Sequence, residues 1–104
     1  MKAVARAFAT VPGKTLAHYR IPRKTVALRV FSTGCEACNR FESNRLSFER
    51  SLGADLVVDL NADLAVSRTL ALKAGVKQIP SYIVLSPGGR TELVDPLSTT
   101  SASP

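Results

Sequence analysis

Thr25-Val26-Ala27-Leu28-Arg29-Val30-Phe31 runs through Ser32-Thr33-Gly34 into Cys35-Glu36-Ala37-Cys38. The first part is apolar and rich in β-branched residues, with one charge inside it, and reads as a strand buried on both faces. Ser32 to Gly34 form a short turn with capping hydroxyls. Helical periodicity then begins at Cys35 and lasts to Leu52, with Cys38, Phe41, Phe48 and Leu52 on one stripe. Arg45 interrupts the stripe, Leu46 is the expected substitute, and Gly53 is a fitting stop. Two cysteines therefore stand where a strand ends and a helix begins.

Working outward, Leu56 to Asn61 is a second buried strand. Leu64 to Ala74 reads as a helix capped by Asn61 or Asp63 and closed at Gly75. Ser81 to Leu85 is a third strand, Ser86-Pro87-Gly88-Gly89 a hairpin turn, and Thr91 to Val94 a fourth strand. That order predicts an α/β fold: a right-handed crossover makes the first two strands parallel, and the hairpin adds an antiparallel edge. The expected domain is 1–96, with 25–94 its clear core and 97–104 a flexible C-terminal tail. Residues 1–24 are less regular. Ala3, Val4, Ala7 and Phe8 fit a helix or a strand, Thr15 to Ile21 reads as extended, and His18 reads as a surface residue.

The chain has 104 residues, 45% of them hydrophobic and 21% charged, which suits one globular domain and excludes a disordered or fibrous chain. No apolar run approaches the ~18 residues of a membrane span. Two cysteines are too few for a disulfide-stapled scaffold. The net charge of +6 is uneven: residues 1–35 hold seven basic side chains and no Asp or Glu. Such a segment attracts acidic partners in general. Few aromatics accompany the charge, which argues against nucleic acid. The Ala- and Arg-rich start lacks the apolar core of a secretory signal, leaving the cytoplasm as the default compartment.

Spacing of three places both cysteine sulfurs on one side of the first helical turn, within disulfide reach. Cys35, at the helix N-terminus, meets unpaired backbone N–H groups that favour a thiolate, which makes it the nucleophile. Cys38, one turn in and facing the core, stays protonated until it attacks a mixed disulfide. Glu36 opposes this by raising the thiol pKa. Two other readings stand beside redox chemistry: a metal shared between chains, since His18 is the only further ligand candidate, and ordinary core cysteines. No metal site within one chain is expected.

Gly75-Val76-Lys77-Gln78-Ile79-Pro80-Ser81 places a proline at the mouth of an apolar strand, where it cannot donate to the ladder. With the strand leading into CxxC, and with Leu60-Asn61-Ala62-Asp63 after the second strand, the chain resembles the thioredoxin family over residues 25–94. The resemblance implies a thioredoxin-like fold, a central mixed β-sheet flanked by helices, and a thiol–disulfide oxidoreductase. Cys35 matches the attacking cysteine and Cys38 the resolving one. Pro80 matches the family's cis-proline, and Ile79 supplies backbone that pairs with a substrate strand. A disulfide-containing protein is the implied substrate and an external electron donor such as a reductase the implied partner. No bound cofactor is needed, because the cysteines carry the electrons.

The departures shape the expectations. The family's Trp-Cys-Gly-Pro-Cys is here Gly34-Cys35-Glu36-Ala37-Cys38, and the chain has no Trp. The final helix is apparently missing, which leaves one sheet face to be covered by residues 1–24 or by a second copy in a dimer. Where the family has a buried Asp paired with Lys, this chain has Arg29 and Asp59, a pair of reversed polarity. Arg29 is expected either to favour the thiolate from behind the cysteines or to serve as an ion pair without a catalytic role.

Overall fold

The computed structural model describes residues 5–8, by their backbone alone, and residues 13–97. Five strands form one sheet: β1 (Ala5–Phe8), β2 (Val26–Phe31), β3 (Leu56–Asn61), β4 (Ser81–Ser86) and β5 (Arg90–Val94), in the order β1-β3-β2-β4-β5. β2 pairs with β3 in parallel from Val26 opposite Leu56 to Phe31 opposite Asn61. β4 lies antiparallel to β2, from Val26 opposite Leu85 to Val30 opposite Ser81, and β5 returns antiparallel along β4. β1 pairs with β3 in parallel, so Ala7 and Phe8 belong to a strand; Ala3 and Val4 lie outside the described residues.

The expected helix from Cys35 to Leu52 is split. α1 (Glu36–Phe41) passes through a 3-10 turn at Glu42–Asn44 into α2 (Arg45–Ser51). Leu46 does not replace Arg45 in the stripe. It is 55% exposed, while Glu49 is buried at 1%. Gly53 ends the segment in the left-handed region at φ +68°, a conformation that glycine adopts without strain.

α3 (Ala65–Lys73) follows β3, with Leu64 at its N-cap and no side-chain cap. The expected caps are engaged elsewhere: Asn61 accepts the Asp63 N–H, and Asp63 accepts from Thr33. Leu16–Tyr19 is a 3-10 helix, not an extended segment, and the Gly13 N–H donates to the Tyr19 hydroxyl at 2.7 Å. His18 is exposed, its ring edge-on to Tyr19.

The strands alternate their side chains between two cores. Val26, Leu28, Val30, Val58, Leu60, Ile83 and Leu85 pack under α3 with Leu70, Ala71 and Tyr19. Ala27, Val57, Tyr82 and Val84 pack with Phe41 on the other face, where Phe48 and Leu52 of the split helix join them. Among the described residues no helix element follows β5. Beyond it Pro96 and Leu97 have helical backbone, and of the expected tail at 97–104 all but Leu97 lies outside the described residues. None of the described helices is long and apolar enough to cross a membrane.

Candidate active site

Cys35 is the N-cap of α1, in extended backbone, because the Ser32–Gly34 turn delivers the chain from β2 at that angle. Its N–H donates to the Ser32 carbonyl at 3.3 Å, and its own carbonyl accepts from Asn39 at 3.1 Å. Cys35 and Cys38 are joined in a disulfide, with their Cα atoms 5.2 Å apart, inside the roughly 4.4–6.8 Å range of such bridges. The Cys38 N–H donates to the Cys35 Sγ at 3.0 Å. Cys38 is buried and Cys35 half-buried, so the first sulfur is the one that solvent and a partner reach.

Across from the pair lies the loop between α3 and β4. The Ile79–Pro80 bond is cis, Pro80 is buried, and the Ile79 carbonyl stands 3.9 Å from the Cys35 Sγ. The antiparallel register explains the meeting: Val30 faces Ser81, so the end of β2 and the start of β4 share one edge of the sheet. Structure thus brings Cys35, Cys38, Ile79 and Pro80 together.

A second connection holds the turn ahead of Cys35. The Thr33 hydroxyl donates to Asp63 Oδ2 at 2.6 Å and the Thr33 N–H at 3.2 Å. These bonds, the hydroxyl's first, hold the Asp63 carboxyl below its ordinary 3.8. The sequence motif containing Asp63 therefore serves the cysteine loop as well as the start of α3.

Arg29 and Asp59 stand side by side on β2 and β3, with Nε to Oδ1 at 2.6 Å. The guanidinium also lies over the Phe31 ring, 4.1 Å from its centre. Glu36 is 87% exposed and reaches Arg40 at 3.8 Å, so water screens its charge from the cysteines.

Sequence reading missed a buried polar cluster on the same face. Tyr82, fully buried, donates to Glu49 Oε2 at 2.6 Å, and Arg45 approaches Glu49 Oε1 at 3.5 Å. Arg45 also pairs with Glu42. Burial, and then the bond to Glu49, push the Tyr82 phenol well above its ordinary 10.0. The signal lay in the stripe itself: Arg45 and Glu49 are four apart, and both fall where the helix meets the sheet. Among the described residues no group of three or more His, Cys, Asp or Glu is gathered to hold a metal ion.

Strand order, the CxxC pair at a helix mouth and the cis-proline loop define the thioredoxin fold. No protein-family profile and no curated protein matches the sequence. Solved structures do. Thioredoxin F from spinach chloroplast superposes with a TM-score of 0.61 at 16% identity, covering 96% of this chain and 89% of that one. The thioredoxin of Malassezia sympodialis gives 0.60 at 14%, covering 97% and 89%. Oxidised mitochondrial thioredoxin 3 from Saccharomyces cerevisiae gives 0.59 at 13%, covering 94% and 91%. At such identities the shared property is the fold.

Proposed function

We propose that this chain is a thiol–disulfide oxidoreductase acting on protein disulfides. The observation that carries the reading is the Cys35 sulfur, which accepts the Cys38 N–H at 3.0 Å and stands 3.9 Å from the Ile79 carbonyl. In the reduced protein the same N–H stabilises a Cys35 thiolate, since a hydrogen bond to the charged form favours it. The thiolate attacks one sulfur of a substrate disulfide. The S–S bond breaks, the departing thiolate takes a proton from water, and a mixed disulfide remains. Cys38 then loses its proton and attacks the Cys35 sulfur. This releases the second substrate thiol and leaves the Cys35–Cys38 disulfide, two electrons having passed to the substrate. An external dithiol donor restores the pair.

Ile79 and Pro80 hold the substrate backbone as an added strand beside the cysteines. Arg29 is a positioning residue: paired to Asp59 on the strand that leads into CxxC, it sets the field behind the thiolate. Arg29→Leu should raise the Cys35 pKa, read by the pH dependence of thiol alkylation. An unchanged pKa in a folded variant leaves Arg29 a structural ion pair.

The direct test is reduction of insulin disulfides by dithiothreitol. Catalysis should vanish in Cys35→Ser, and Cys38→Ser should accumulate the mixed disulfide. Turnover that survives in Cys35→Ser would overturn the reading. Absence of turnover in the native chain would leave a binding or redox-sensing module instead.

A further inference from the structure

The opposite end of the sheet carries a cleft of about 270 Å³ that the redox site does not use, lined in part by Arg20, Arg23 and Lys24 on one side and Pro87, Gly88 and Gly89 on the other. Its position follows from register. β2 starts at Val26 opposite Leu85 and ends near the cysteines, with Val30 opposite Ser81. Strands of this length, at about 3.3 Å per residue, separate the two ends by about 20 Å.

Three features mark this cleft. The described lining residues include no Asp or Glu, and one wall, Arg20 to Lys24, belongs to the stretch of 35 residues that has seven basic side chains and no acidic ones. Arg20 has its guanidinium on neutral acceptors alone: the carbonyls of Ser86 at 3.1 Å, Gly89 at 3.1 Å and Arg90 at 3.2 Å, and the Thr91 hydroxyl at 2.7 Å. Those bonds fix the hairpin against the turn, and among the described residues no carboxylate is paired with the guanidinium. The third feature is Arg23. Ile21-Pro22-Arg23-Lys24 is a tight turn closed by the Lys24 N–H to the Ile21 carbonyl at 3.0 Å, and Arg23 has φ +66°. A turn with proline second and a positive φ third asks for glycine or asparagine there. A long cationic side chain in that place runs against the backbone's preference, a pattern that points from strain to use.

We infer that this cleft docks an acidic segment of a partner protein. Exposed Ile21 and the two prolines give it apolar walls, and Arg23 and Lys24 at the rim meet carboxylates. No aromatic platform lines it, which disfavours a nucleic-acid strand. A partner held there leaves Cys35 open, so one protein can be tethered while another is acted on. The inference is independent of the redox reading.

The test uses the oxidised chain and a fluorescent ten-residue peptide of alternating Glu and Leu, followed by anisotropy. Binding should weaken with salt, and Arg23→Glu with Lys24→Glu should reduce it about tenfold. Lys73→Glu, on α3, should leave it unchanged. Arg23→Gly should raise the thermal midpoint while weakening binding, because glycine suits the turn and lacks the charge. Equal binding by the double variant overturns the inference, as does an equal loss in Lys73→Glu. A dT oligonucleotide, inorganic phosphate or phosphatidylserine vesicles binding as well as the peptide would also overturn it. An Arg23→Gly variant that binds as tightly as the native chain would overturn it too.

Discussion

The two faces of the sheet are built from the same three strands and solve burial differently. Under α3, every inward residue of β2 is apolar: Val26, Leu28 and Val30. One residue along, the other face presents Ala27, Arg29 and Phe31, with Asp59 on β3 and Tyr82 on β4 flanking Arg29. The split helix adds Glu49 and Arg45 to that side. One face is held by apolar area, and the other by a smaller apolar cluster around Phe41 and Tyr82 together with a few matched polar contacts, each costly to leave half made. It is the polar face that carries the helix beginning at Cys35. The energetics of the two faces should therefore respond differently to the same kind of mutation.

The widest separation is expected at Asp59. Asp59→Ala strands a largely buried Arg29 and should cost about 3–5 kcal/mol in urea unfolding, whereas replacing both partners by leucine should recover most of that. Such recovery is the signature of a buried pair. The apolar face should show no counterpart. Leu28→Ala, which only opens a cavity, should cost about 3 kcal/mol, and Leu28→Met less than about 1.5 kcal/mol. If the double leucine variant is no better than Asp59→Ala, the contrast between the faces is wrong.

The same contrast explains what could be read beforehand. Strands β2, β3 and β4 were legible because their buried runs are β-branched and bounded by turn residues. The cysteine pair was legible from its CxxC spacing at a strand end, whereas Ile79-Pro80 stood out only through the resemblance of the ordered motifs to a known family. The polar cluster was only half legible: Arg45 and Glu49 are four apart on one stripe, but Tyr82 and Glu49 are 33 residues apart and nothing local announces their bond. The break at Glu42–Asn44 was hidden for a related reason. Periodicity predicts a face, and one three-residue turn of 3-10 helix shifts that face enough to bury Glu49 instead of Leu46. Leu16–Tyr19 was misread as extended because its helical turn depends on tertiary contacts of Tyr19, which packs with the apolar core and accepts the Gly13 N–H.

Tyr82→Phe tests the cluster at smaller scale. It removes one hydroxyl, leaves Glu49 with Arg45, and should cost about 1–2 kcal/mol. Combined with Glu49→Gln the costs should not add, because the two share one bond. The phenol's raised pKa adds a second readout. A group whose pKa is higher in the folded state contributes stability that is whole below its unfolded value, 10.0, and lost as pH rises beyond it. Alkaline unfolding should therefore begin earlier in the native chain than in Tyr82→Phe.

Asp63 provides the smallest effect and the opposite sign. Its carboxyl is held below 3.8 by Thr33, so the folded state binds this proton less readily than the unfolded chain. The resulting stability is whole above that value and disappears as pH falls through the lowered one. Asp63 is exposed, and solvent limits what two hydrogen bonds contribute. Asp63→Ala should accordingly lower the unfolding midpoint slightly at pH 6 and by less at pH 2. A difference undiminished at pH 2 would assign the effect to packing and not to the charged carboxylate. Thr33 is two residues ahead of Cys35, so the same loss should loosen the turn that presents the sulfur. Alkylation of the reduced pair should then change in Asp63→Ala at pH 6.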